Sequence, residues 1–233
     1  HDLASQGVHF ATAPAQGDGT PTGRCLILVT PDAERSMNTF LGAATEFGPG
    51  DVDAATLAAA RVTYLEGYLF DPPEAKKAFY RAAGIVREAE RQLALTLSDT
   101  FCVERHRAEF LDLIANHVDI LFANQNELMA LYQTQDLRQA IEAVRSHCGI
   151  AVTTQSAKGA VIVSGDETVH VPAVAAAKVV DTTGAGDLYA AGFLYGLTHG
   201  KTLAECGHIG AVAAAEIIGH YGPRPQQKLA DLI

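Results

Sequence analysis

From residue 53 to residue 154 the sequence alternates between helical segments and short strands that are apolar throughout. Residues 53–61 are rich in alanine behind Asp51 and Asp53, either of which can cap a helix. Residues 62–69 read as a strand, and Pro72-Pro73 opens a long helix over 74–92. Strand 93–97 follows, then helix 104–115 with Phe110, Leu111 and Ile114 on one face. Strand 120–123, helices 126–132 and 136–148, and strand 150–154 complete the run. A strand that is apolar at every position must be covered on both faces, and parallel strands need helical crossovers. The spacing therefore predicts an α/β fold with a mostly parallel central sheet between two helical layers.

The flanks read differently. Residues 160–163 and 168–171 form a hairpin about Gly165-Asp166, and the chain after Thr183 is almost entirely helical. Upstream, Cys25-Leu-Ile-Leu-Val29 and Ser36-Met-Asn-Thr-Phe-Leu41 pair as a second hairpin around Pro31-Asp32. Residues 1–23 are polar and rich in Gly, Pro and Thr, as a loop is. Phe40 and Tyr64 are read as core aromatics.

Composition narrows the partners. With 27 acidic and 17 basic residues the formal charge is −10, which disfavours a nucleic-acid backbone as partner. Cys25, Cys102, Cys148 and Cys206 are widely spaced, so they make no Cys-x-x-Cys metal frame and read as reduced thiols. The apolar stretches around 188–197 and 209–218 are broken by Gly, Tyr or Glu, so no membrane span is expected. No leader is recognisable, and a cytoplasmic location is expected.

The segment that carries chemistry is Asp181-Thr-Thr-Gly-Ala-Gly-Asp187, which leads into a helix at Leu188. Small residues at Gly184, Ala185 and Gly186 admit a ligand close to the backbone, and the helix start offers N–H donors to an anion. Asp187 in the first turn can take a proton from an attacking hydroxyl. A shorter Gly-x-Gly would mean only a turn, but the longer segment and its flanks point to phosphoryl transfer.

Together with Leu188-Tyr-Ala-Ala-Gly-Phe193, this segment resembles the second signature of the ribokinase/PfkB family of carbohydrate and nucleoside kinases. Asn124-Gln-Asn-Glu127 resembles the family's Asn-x-x-Glu motif. Thr154-Gln-Ser-Ala-Lys-Gly159 resembles its nucleotide turn, with Ser156 where the family writes Gly. The resemblance implies a ribokinase-like three-layer sandwich with a β lid hairpin. It makes Asp187 the catalytic base and Gly184, Ala185 and Gly186 the anion hole. Asn124, Thr154, Ser156 and Gly159 would bind ATP. Glu127 would position Mg²⁺ through water, and Asp181 and Thr183 would help hold a monovalent cation, K⁺. His208, on its own a packed helix residue, would lie near the adenine.

The run Cys206-Gly-His208 to Gly222 and the hairpin from Thr22 to Ala43 resemble adenosine kinases, so the implied acceptor is a nucleoside, adenosine first. A sugar kinase acting on ribose or fructose is the alternative, and a non-catalytic nucleotide-binding protein of the same fold is the alternative from another class. The chain opens on His1 and lacks the N-terminal part of the family pattern. It thus reads as the C-terminal two thirds (1–233) of one ribokinase-like domain, with 20–43 as the lid. Lids of this family can form dimer contacts, so a homodimer is a further expectation.

Overall fold

A computed structural model describes residues 2–10, 12–13 and 19–233. Strands β1 (Thr22–Val29) and β2 (Arg35–Gly42) form a separate antiparallel pair. Helices α1 (Asp2–Ser5) and α2 (Ala54–Ala59) are short. The body then runs β3 (Val62–Glu66), α3 (Pro73–Glu88), β4 (Gln92–Thr96), α4 (Thr100–His117), β5 (Ile120–Asn124), α5 (Gln125–Tyr132), α6 (Leu137–Arg145), β6 (Ile150–Thr154), β7 (Ala160–Ser164) and β8 (Glu167–Val171). Helices α7 (Ala185–Thr198) and α8 (Leu203–Ile217) follow.

The six body strands lie in chain order in one sheet. Strands β3 to β6 are parallel, and β7 and β8 continue antiparallel. Parallel strands that advance one place at a time by right-handed crossovers put every crossover helix on the same face. The buried residues show this. Leu93 and Leu95 of β4 and Leu121 of β5 pack with Ala82 and Val86 of α3 and with Phe110 and Leu113 of α4. The intervening Ala94, Ile120 and Phe122 face the other way, onto Tyr189 and Phe193 of α7. The Phe193 ring stands edge-on to Phe122 at 5.5 Å. This period of two across fully buried strands is the three-layer sandwich that the alternation predicts.

Three expectations need correction. Of the loop read over 1–23, residues 1, 11 and 14–18 lie outside the described residues, and Asp2–Ser5 form one helical turn. The strand read over 62–69 ends at Glu66, where Gly67–Phe70 turns into a 3-10 helix. Phe40 is not core. It is paired opposite Arg24 on the ribbon, shares a face with Leu26 and Leu28, and is 51% exposed. A two-stranded ribbon has no second layer to bury that face. Among the described residues no helix is long and apolar enough to cross a membrane.

Candidate active site

Glu66, Asn124 and Thr154 each end a parallel strand, so the topology sets them along one edge of the sheet. Asn124 and Thr154 are direct neighbours in the β5–β6 register. The carboxyl ends of the strands are where open α/β sheets bind ligands.

Asn124 caps α5. Its Oδ1 accepts from the Asn126 and Glu127 amides, both at 2.9 Å. The Glu127 carboxylate reaches back to the Asn124 amide (2.8 Å) and to Nδ2 (2.6 Å). Both Glu127 oxygens are therefore engaged, and the side chain is buried. Burial pushes its carboxyl up to about 7, against the Asn124 amide, and the charges of Asp99 and Glu66 add to the rise.

Glu66 is a site residue that the sequence reading did not single out. Its Oε1 accepts from the hydroxyl of Ser98, which is held at φ 66°. Burial pushes Glu66 up to about 7 as well, with the Asp187 charge contributing. Tyr64, half-buried against Phe122 at 6.1 Å, has its phenol raised by burial and by Glu66, Asp187 and Glu127. Asp187 itself is raised by burial, with Arg35 opposing. The Asp187 charge thus reaches Glu66, the Glu66 charge reaches Glu127, and Tyr64 lies within the field of all three.

Arg35 is the second residue that the sequence reading passed over, having placed it in a turn. Its guanidinium donates to Thr182 Oγ1 at 2.7 Å, spanning from the hairpin to the glycine-rich segment.

That segment is built to hold its shape. Asp181 Oδ1 accepts from the Thr183 amide (2.9 Å) and hydroxyl (2.6 Å), and Oδ2 accepts from the Gly222 amide (3.1 Å). Burial works to raise Asp181, but these bonds and Arg35 outweigh it and hold the carboxyl low. Gly184 caps α7 at φ 84°, and a Cβ there would press on Pro223 at 3.2 Å. The first backbone bond of the helical ladder runs from Leu188 to Gly184 (2.9 Å), so the Gly186 and Asp187 amides precede it. A Cβ on Gly186 would meet nothing within 4 Å, so this face of the turn is open.

The Thr154–Gly159 turn is also strained into shape. Ser156 sits at φ 50°, which explains why glycine suits this position and shows that serine can be accommodated. The Gln155 amide donates to Gly159 O at 2.7 Å. Gly159 has φ 89°, and a Cβ there would come within 2.0 Å of Val171 O. His208 is exposed on α8, and the hydrogen bonds of the site among the described residues do not include it.

The pfkB family carbohydrate kinase pattern matches residues 1–229. The adenosine kinase of Sinorhizobium meliloti superposes with a TM-score of 0.96 at 53% identity, over 99% of this chain and 71% of that one. A probable sugar kinase protein from Rhizobium etli CFN 42 gives 0.96 at 51%, over 99% and 70%. The adenosine kinase of Saccharomyces cerevisiae is 29% identical over 225 residues, which are 90% of this chain and 65% of the yeast enzyme. The chain spans less than two thirds of the length of the sequence relatives it matches most strongly. On the family pattern, the fold and the order of its motifs, the chain belongs to the pfkB family of carbohydrate kinases.

Proposed function

We propose that the chain carries the nucleotide site and the catalytic base of an ATP-dependent kinase that phosphorylates the hydroxymethyl group of a nucleoside, adenosine first. The observation that carries this reading is the seating of Asp187. It is a solvent-accessible carboxyl whose pKa partial desolvation raises, in the first turn of α7 behind an open glycine turn and within the field of Glu66. Similarity to the rhizobial and yeast adenosine kinases supports the nucleoside.

In this reading Asp187 accepts the proton of the acceptor hydroxyl as its oxygen attacks in line. The Gly186 and Asp187 amides, with Gly184 and Ala185 shaping the turn, stabilise charge on the transferring phosphoryl group. Thr154, Ser156 and Gly159 line the nucleotide turn, Asn124 adjoins it, and His208 lies on the helix assigned to the adenine side. Glu66, Glu127 and Asp187 are carboxylates, and oxygen donors of this kind suit Mg²⁺. Glu127 would act through water because Asn124 holds both its oxygens, and Glu66 would face the same ion. When bound, Mg²⁺ neutralises charge on the phosphates. K⁺ would sit beside Asp181 and Thr183, where the chain joins the loop carrying Gly222.

Residues 1–233 then form the larger part of one ribokinase-like domain, and 20–43 close over the acceptor, with Arg35 as the link. The exposed apolar face of the hairpin (Leu26, Leu28, Phe40) is the surface on which a homodimer would form. Four free cysteines accord with a cytoplasmic location. The Rhizobium etli neighbour supports a second reading, a sugar as acceptor. Phosphate transfer from ATP, tested with adenosine, ribose and fructose side by side, decides between them. Turnover of adenosine alone is expected, and turnover of a sugar alone sinks the nucleoside reading.

A further inference from the structure

We propose that Asp71, Cys102 and His106 form a three-ligand site for a borderline-soft divalent metal ion, Zn²⁺ by its ligand chemistry. None of these residues takes part in the phosphoryl-transfer site described above. Cys102 and His106 are four residues apart on α4 and so share a face of that helix. Asp71 comes from the turn that follows the 3-10 segment after β3. The carboxylate oxygen, the thiol sulfur and the imidazole nitrogen lie within 4.8 Å of one another. His106 Nε2 is 2.7 Å from Asp71 Oδ1. Helix α4 departs from helical dihedrals at His106 (φ −120°, ψ 23°), the residue whose ring meets Asp71.

One sulfur, one imidazole and one carboxylate suit Zn²⁺ or Co²⁺, and they do not suit Mg²⁺ or Ca²⁺, which take oxygen alone. The outer groups are those a metal site uses. Glu109 Oε2 lies 3.2 Å from His106 Nδ1, the carboxylate behind the imidazole that orients a ligating histidine. Arg105 Nη2 donates to Asp71 Oδ2 at 2.8 Å, and its Nε donates to Oδ1 at 3.1 Å. Lys76 Nζ contacts both Glu109 oxygens (2.8 and 2.7 Å) and lies 3.0 Å from His106 Nδ1. The two cations offset Asp71 and Glu109, so the cluster is neutral before an ion enters. Cys102 is buried and its thiol donates to Gly67 O at 3.4 Å, while the Asp71 side chain is 41% exposed. The fourth coordination position therefore opens to water.

The protons balance. An ion on Nε2 leaves the ring proton on Nδ1, where Glu109 accepts it. The Cys102 thiol gives its proton to solvent, so one proton is released for each ion bound. The bound ion would tie the turn after β3 to α4.

Titration of the full chain with Co²⁺ tests this. The expected result is one ion per chain with a thiolate-to-cobalt charge-transfer band that Zn²⁺ displaces. The band disappears in Cys102→Ser and persists in Asp187→Ala, whose site has no sulfur. His106→Gln, a partly exposed position, keeps its far-ultraviolet circular dichroism and loses at least tenfold in affinity. Zn²⁺ raises the melting temperature of the parent chain and leaves that of His106→Gln unmoved. Absence of a thiolate band in the folded parent, its survival in Cys102→Ser, or unchanged affinity in folded His106→Gln would each overturn the proposal.

Discussion

Glu127→Gln separates the cost of burying this carboxylate from the use made of it. Burial raises the Glu127 carboxyl from 4.5 to about 7. Ionising it in the folded chain therefore costs about 3 kcal/mol relative to a solvated carboxylate. The sign follows from linkage. The folded pKa lies above the unfolded one, so the folded state binds more protons between them. The parent chain then loses stability as pH rises from about 4.5 to about 7, and levels off beyond. Gln has no such slope. It keeps an acceptor for the Asn124 amide but sets an NH₂ against Asn124 Nδ2, at a loss of about 1 kcal/mol. Glu127→Gln is thus expected to be about 2 kcal/mol more stable than the parent at pH 8, and about 1 kcal/mol less stable near pH 4.5. Glu66 titrates in both proteins, and its repulsion of ionised Glu127 is already part of the rise to about 7. Urea unfolding at the two pH values without divalent ions measures it. A difference of one sign and size at both pH values would refute the reasoning, as would a more stable parent at pH 8. Added Mg²⁺ should narrow the gap at pH 8 by favouring the ionised parent.

Other expectations follow from single residues. Arg35 holds Asp187 down, so Arg35→Gln should move the acid limb of the pH–rate profile to higher pH; an unmoved limb would show that the hairpin does not act on the base. Gly159→Ala drives a Cβ toward Val171 O from a backbone at φ 89°, and should cost on the order of 2 kcal/mol or more in urea unfolding. Phe193→Ala empties the fully buried contact with Phe122 and should cost about 3–5 kcal/mol, while Phe40→Ala, on an exposed face, should change stability by about 0.5 kcal/mol or less.

The layered fold was legible because its cause is local in sequence. Strands such as Leu93–Leu95 and Ile120–Phe122 are apolar at consecutive positions, and only a sheet covered on both faces satisfies them. The glycine turn and the Asn124–Glu127 cap were legible for the same reason, since each is a short segment whose hydrogen bonds close on itself. Glu66 and Arg35 were not. Glu66 acquires its character from burial, from the Ser98 hydroxyl and from the Asp187 charge, which only the folded chain brings to it. Arg35 matters through a bond to Thr182, far along the chain, and nothing in its own neighbourhood signals that contact. Phe40 misled for the converse reason. Its hydrophobicity is that of a core residue, but a two-stranded ribbon has no second layer to bury it.

The most direct test of the central claim pairs transfer with binding in Asp187→Ala. Mg²⁺-dependent phosphate transfer from ATP to adenosine is measured for parent and variant, in this chain and in a version with the full length of its relatives, alongside ATP affinity by calorimetry. If Asp187 is the base, transfer falls by about 10²- to 10⁴-fold or more while the ATP dissociation constant stays within a few-fold. Equal turnover in the variant, or loss of ATP binding in step with turnover, would contradict the assignment of Asp187 as the group that takes the proton.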